Sequence, residues 1–235
     1  MKNKRNLSNR KLWLMLGFLL GFVPLLKSQS SFFIGTQIPL SYNLGYELQL
    51  NDKWSVSSQF GVLTNPYDKA IIEILKAFGT DEQIVNTIGD AFSYGLDFQP
   101  EIVYNFKKWE FGIIYSYYFL KAKDAPKDAI ESYYGVTFPF RPRIGYQYDL
   151  TLTSGLHNAG IKIGRKFFLK NPSIEIRTEF DFAKTFASKS ILTANEGDVS
   201  RISDEIDKEL NDYYLKYGYL PALNIRLVYH INAKK

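Results

Sequence analysis

From Tyr94 the chain reads YGLDFQPEIVYNFKKWEFGIIYSYYFLK, and alternate residues are apolar or aromatic along nearly all of it. One set runs Tyr94, Leu96, Phe98, Pro100, Ile102, Tyr104, Phe106, and its complement holds Asp97, Gln99, Glu101 and Asn105. After Lys107-Lys108 the apolar set resumes as Trp109, Phe111, Ile113, Tyr115, Tyr117 and Phe119. Successive side chains of a strand point to opposite faces, so a period of two sustained this long predicts a long β-hairpin. One face is aromatic, the other polar, and the two lysines form the turn.

The pattern recurs. Tyr42, Leu44, Tyr46, Leu48 and Leu50 lead to a turn at Asn51-Asp52, followed by Trp54, Val56, Phe60 and Val62. Ile161, Ile163 and Phe167 lead to a turn at Lys170-Asn171-Pro172, followed by Ile174, Ile176, Phe180, Phe182 and Phe186. A last strand carries Tyr219, Leu223, Ile225, Leu227 and Tyr229. Strands are expected near 31–38, 41–50, 53–64, 94–106, 108–120, 156–168, 173–186 and 217–231. Tight turns near 51, 107 and 171 alternate with long connections at 65–92, about 121–155 and 187–216. A chain that crosses a membrane repeatedly, with short turns on one side and long loops on the other, produces this order.

The predicted fold is all-β: an eight-stranded antiparallel transmembrane β-barrel with short helices in the long outer loops. Strands of roughly 9–11 residues suffice to cross the apolar band. The aromatic face then meets lipid, with Phe98, Ile102, Tyr104, Phe111, Ile113, Tyr115, Phe180, Ile225 and Leu227 as the expected lipid-facing residues. A soluble barrel with that face inside is the alternative. It would have to enclose large rings from nearly every strand of a chain with 17 Tyr and 18 Phe, more than a small closed barrel holds.

The first residues, MKNKRNLSNRKLWLMLGFLLGFVPLLKSQS, place a basic run before an apolar core from Leu12 to Leu26 and then small polar residues. That is the layout of a secretory signal peptide. The expected division is a signal peptide over 1–29 and a barrel domain over 30–235. The six basic groups of residues 1–28 face no acid there, so removing them from a formal charge of +5 leaves −1. The basic balance belongs to the export segment, and nucleic-acid binding loses its electrostatic support. With no cysteine and only two histidines, His157 and His230, thiol chemistry is excluded and a multi-histidine metal site is not expected. No cofactor is expected.

The signal segment, the alternating strands, the alternating loop lengths and the terminal strand LNIRLVYHI together resemble the small eight-stranded outer-membrane β-barrels of Gram-negative bacteria, the OmpA-type and OmpX-type barrels and the broader porin-like barrel families. The resemblance covers about residues 31–231 and is one of architecture. In that family the last strand ends on an aromatic that the assembly machinery reads. Here Tyr229 is followed by six residues. The resemblance implies an outer-membrane location, contact with membrane lipids and lipopolysaccharide, and assembly by the barrel-assembly machinery.

Two of the long connections carry helical spacing. In 67–92, Ile71, Leu75 and Phe78 share a face, and Thr80 with Gln83 forms a capping box for a second helix. In 195–212, Ile202, Ile206 and Leu210 recur at four-residue intervals, with Arg201–Glu205 and Asp204–Lys208 as ion pairs. These helices cap the rim or recognise a partner protein. The aromatic and basic segment GVTFPFRPRIGYQYDL reads as an ordered loop or as a contact with lipid headgroups.

On the inward face fall Glu47, Asp97, Glu101, Glu110, Lys162, Lys166, Glu175, Arg177, Glu179, Asp181 and Arg226. Eight strands leave a lumen that side chains just fill, and enclosed charges must pair. The expected arrangement is an ion-pair network centred on Arg177 and Arg226. Such a network serves a structural or anchoring barrel with a filled interior. A narrow porin-like channel for small solutes and a loop-based binding module are the other two readings. An enzyme is not expected, because the histidines fall toward opposite ends and no nucleophile-elbow, phosphate-loop or metal spacing is present.

Overall fold

A computed structural model of the chain describes residues 29–64, 66, 69, 73, 95–123, 150–195 and 199–231. The proposed signal segment, most of the 67–92 connection and the GVTFPFRPRIGYQYD stretch lie outside them. Eight strands follow in order: β1 (Ser30–Ile38), β2 (Ser41–Gln49), β3 (Trp54–Leu63), β4 (Gly95–Phe106), β5 (Trp109–Lys123), β6 (Leu150–Phe168), β7 (Ile174–Ala194) and β8 (Tyr219–His230). Each pairs antiparallel with its neighbour, and β1 pairs with β8 to close the barrel. Closure removes the unpaired edges that an open sheet of such apolar strands would expose. The turns at Asn51, Lys107 and Asn171 all open on one end.

The side chains sort as the two-residue period requires. Phe32, Ile34, Leu44, Phe60, Ile102, Ile113, Ile161, Phe180 and Leu227 are exposed on the outside. Ile113, 68 % exposed, stands between Ile102 and Ile161 on the neighbouring strands. Phe98, Tyr104 and Tyr115 point outward too but are half-covered by adjoining side chains. Rings touch across strands, as in Trp54–Tyr104 at 5.1 Å and Phe60–Phe98 at 4.8 Å between centroids. The inner face holds Ser, Gln, Asn and the charges.

Two of the expected connections are shorter than the sequence suggested. β5 continues to Lys123 and β6 begins at Leu150, so the 121–155 connection shrinks from both sides. β7 runs to Ala194, and much of the 187–216 connection is strand or helix. β6 and β7, 19 and 21 residues long, extend well past the 9-residue β1 and β2.

Over this extension the sidedness reverses. Outside, the apolar set ends at a cluster of Tyr115, Tyr117, His157 and Phe186, with Tyr117 and His157 rings 4.9 Å apart. Beyond it the outward residues are mostly polar, Lys121, Thr151, Thr153, Lys189 and Thr193, with Phe119 and Ile191 among them. Inside, the polar set gives way to buried Tyr118, Leu120, Ala122, Leu150, Leu152, Leu156 and Leu192. The β6–β7 register shifts at His157/Asn158, and the extra residue on β7 is Phe186, since His157 faces Ala187 and Asn158 faces Thr185. The extension leans toward the sidedness of a water-soluble sheet, mostly polar outside and largely apolar inside, with Ile191 outside and the Ser154–Ser190 pair inside as exceptions.

Helix α1 (Ser200–Tyr217) lies against that inner apolar face. It starts and ends five residues later than the 195–212 helix read from sequence. Ile206 and Tyr214 are buried, and Ile202, Leu210 and Tyr213 pack beside them. A second face of α1 meets the free edge of β7. β8 pairs with β7 only as far as Lys184, so beyond it β7 is paired with β6 alone and its amides on the β8 side have no strand partner. Asp207 Oδ1 accepts from the Ser190 amide at 2.6 Å, and Ser203 Oγ from the Leu192 amide at 3.0 Å. Ser188 Oγ donates to Asn211 Oδ1 at 2.9 Å. Ser203, Asp207 and Asn211 recur every four residues and share one helix face. Gly218 ends the helix where neither Tyr214 nor Thr185 leaves room for a side chain, and its carbonyl accepts from the Thr185 amide at 2.8 Å.

Candidate functional site

Among the described residues the buried ionisable groups are concentrated in the barrel interior. Glu47, Asp97, Glu101, Glu110, Lys162, Lys166, Glu175, Arg177, Glu179, Asp181 and Arg226 are all buried there. Each sits on the inward parity of its strand, so the pleat alone sends it into the lumen.

Two arginines organise the network. Arg226, on β8, donates to Glu101 Oε1 on β4 at 2.7 Å and to Gln59 Oε1 on β3 at 2.7 Å, and stands 3.1 Å from Glu179. In a ring of eight strands β8 and β4 are diametrically opposed, so this contact crosses the full width of the barrel. The guanidinium also lies 4.6 Å from the centroid of the Phe33 ring. Arg177, on β7, bonds Glu175 on its own strand and Glu47 across on β2, with Glu110 at 3.5 Å. Lys162 joins the two centres, bonded to Glu101 and 3.2 Å from Glu179, with Glu110 at 3.9 Å. Lys166 reaches Asn105 at 2.5 Å and Glu110 at 3.5 Å.

The charges do not balance. Seven carboxylates (Glu47, Asp97, Glu101, Glu110, Glu175, Glu179, Asp181) face four bases and His230. Among the described residues no cation stands at ion-pair distance from Asp97 or Asp181. Asp181 Oδ2 instead receives the side-chain amides of Gln37, Gln99 and Asn224 at 3.3, 3.2 and 2.7 Å. These two acids lie on the α1 side of the arginine network, just below the apolar residues that the helix covers.

The histidines are separated. His157 is on the outside wall, its Nδ1 2.6 Å from the Tyr115 hydroxyl. His230 is inside at the short-turn end, with Nδ1 2.7 Å from Ser31 Oγ and Nε2 3.4 Å from Glu175. Sequence reasoning overlooked Ser31, the amide layer of Gln37, Gln59 and Gln99, and the bracing role of Ser203, Asp207 and Asn211. The inward parity of the three glutamines was readable. Asp207 on the edge of β7 was not, because nothing in the spacing shows that β7 outruns β8. On α1, Arg201–Glu205 stands at 3.9 Å, while Asp207 pairs with Lys189 at 2.5 Å rather than with a helix neighbour. Among the described residues no group of three or more acids, histidines or cysteines is placed to hold a metal ion.

No protein-family model matches the chain, and no curated protein matches it. Among solved structures, a major outer membrane protein from Thermus thermophilus is similar over 87% of this chain and 98% of its own, at 11% identity and a TM-score of 0.46. CarO2 and CarO of Acinetobacter baumannii are each 10% identical over 86% of this chain, covering 97% and 96% of their own, with TM-scores of 0.36 and 0.32. Likeness at this level carries no weight for function, which is read from the barrel's own residues. Those residues make a closed eight-stranded antiparallel barrel with an apolar waist, a charged and cross-braced core, and a helix seated over one end.

Proposed function

We propose that the protein is an integral outer-membrane barrel whose role is structural or anchoring. Its interior is braced shut, and its long-loop end is presented to the outside. The membrane reading is supported by the apolar waist, which exposes Phe32, Ile34, Leu44, Phe60, Ile113 and Ile161 around the barrel wall and ends in an aromatic cluster. A continuous exposed apolar belt around a closed barrel is unfavourable in water and favourable in lipid. The reversal of sidedness past Tyr117 and His157 supports the same reading, because it marks where the strands leave the apolar layer.

The observation that carries the structural role is the Arg226–Glu101 contact. Side chains from opposite walls meet in the middle, so the lumen is occupied by protein, and α1 covers it on one side. The reading includes lipids of the outer membrane and the barrel-assembly machinery as partners, and no catalytic role, since His157 and His230 are on opposite ends and opposite faces. The test is single-channel recording on the purified, folded protein in a planar bilayer. Silence from a sample that is folded by circular dichroism is the expected result. Stable discrete openings would replace the anchoring role with that of a narrow channel.

A further inference from the structure

The short-turn rim is predominantly cationic. Lys53, Lys107, Lys108, Arg165 and Lys170 are exposed there, and among the described residues of that rim Asp52 is the exposed acid. Three of the bases converge on the β4–β5 turn. Arg165 faces Trp109 across the β5–β6 ladder, and its guanidinium lies 5.5 Å from the Trp109 ring and 5.4 Å from the Phe167 ring. Lys107 Nζ lies 5.5 Å from the Phe106 ring, and Phe106 pairs with Trp109 in the adjoining ladder. The Lys166 amide donates to the Lys108 carbonyl at 2.8 Å, tying the turn to β6. Lys53 is held alongside, its carbonyl accepting from the Asn105 amide at 2.6 Å.

The turn itself bears a cost. Lys107 has φ of 56°, the left-handed region that two-residue hairpin turns normally fill with Gly, Asn or Asp. A lysine is held there in a strained backbone, and strain kept at a surface turn motivates a functional reading. The charge is also positioned at a definite depth. Trp109, Phe106 and Phe167 are half-exposed apolar rings at the edge of the waist, where amphipathic and aromatic side chains settle at the headgroup level. Long cationic side chains stacked on those rings end in the headgroup layer.

We propose that the rim formed by Lys107, Lys108 and Arg165 around Trp109 binds the headgroup of an anionic phospholipid in the leaflet facing the short turns. The guanidinium and ammonium groups take the phosphate, and Trp109, Phe106 and Phe167 take the upper acyl chain. The site rests on the membrane reading, and its occupant is a lipid rather than a free anion because the apolar half of the site is continuous with the lipid-facing waist.

The test uses the full chain with Trp13→Phe and Trp54→Phe, leaving Trp109 as the sole tryptophan, folded into phosphatidylcholine vesicles. Brominated phosphatidylglycerol and brominated phosphatidylcholine are compared as quenchers at equal mole fraction. The expected result is a preference of about threefold or more for the anionic lipid at Trp109, weakened by salt. Arg165→Gln and Lys107→Gly should each reduce that preference. Lys107→Gly also relieves the turn, so it should fold at least as well as the parent and keep the comparison valid. Equal quenching by the two lipids, or a preference untouched by both substitutions, overturns the site while leaving the membrane reading intact. Quenching by neither lipid overturns the membrane reading and the site together.

Discussion

Asp207 of α1 accepts a hydrogen bond from the Ser190 amide of β7, which is out of reach of β8. A helix side chain thereby completes a strand edge that the barrel ladder does not cover. The same carboxylate pairs with Lys189 through its other oxygen. Edge strands left open are sites of unwanted pairing, and α1 closes this one with three side chains on one face.

Asp207→Ala should therefore loosen the helix without opening the barrel. Losing an acceptor for a half-buried amide costs about 1–2 kcal/mol. Amide exchange at Ser190 and Leu192 should quicken by roughly ten-fold or more, in keeping with that loss, while amides of β1 and β8 at mid-barrel stay protected. Uniform protection across β7 would mean that α1 does not brace the edge.

The docked helix should weaken in alkali. Burial pushes the Tyr214 hydroxyl up to about 12 from its ordinary 10.0. The Asp207 hydrogen bond also holds Lys189 above its ordinary value. Between pH 10 and 12 the undocked segment has released the Tyr214 proton that the docked helix retains, so docking weakens as pH rises through that window. Lys189 acts in the same direction, since its pairing is lost as the pH climbs through its raised value. Near-ultraviolet circular dichroism against pH should show the transition, and Tyr214→Phe should move it to higher pH.

Arg226→Ala should be strongly destabilising. It leaves Glu101 and Glu179 without the arginine that meets both, and breaking a buried pair from one side costs about 3–5 kcal/mol. The measurement is the urea midpoint of the folded barrel in detergent or vesicles. An unchanged midpoint accompanied by new conductance would make Arg226 a gate and not a brace.

Asp97→Asn should act in the opposite direction. Asp97 is buried in an interior with more acids than bases and has no ion-pair partner among the described residues. Neutralising it removes a desolvated charge, worth about 1 kcal/mol or more of added stability. A loss of stability would show that this carboxylate is needed in its charged form.

Ile113→Arg tests the waist. Ile113 is 68 % exposed at mid-strand, flanked by Ile102 and Ile161. In lipid, an arginine near the midplane of a barrel wall costs roughly 2–4 kcal/mol. In water the same change at so exposed a site would be nearly neutral. Unfolding of the vesicle-inserted protein separates the two.

Much of this architecture was legible before any coordinates. The strand β4, its two-lysine turn, the eight-strand count and the inward set around Arg177 and Arg226 all follow from a period of two, because the pleat assigns each residue to a face with no other information. What misled was a reversal of sign. LTLTSG in β6 alternates as cleanly as the waist does, but with Leu150 and Leu152 on the inner parity, while SKSILTA in β7 mixes the faces, with Leu192 and Ala194 on the inner parity and Ile191 on the outer. Beside strands whose apolar face is the outer one, those segments resemble loops. They are strand because α1 supplies a second apolar surface for them to pack on, and that partner lies elsewhere in the chain.

The sequence by itself determined the repeating local geometry of the waist: which of its segments are strands, where the tight turns fall, and which side chains share a face. Those depend on neighbours one or two residues away. Only the tertiary structure decided which charges meet. Arg226 and Glu101 are 125 residues apart and become partners because ring closure puts β8 opposite β4. Pairing across a lumen depends on register and on the reach of long side chains, and neither quantity is written in the period of a single strand.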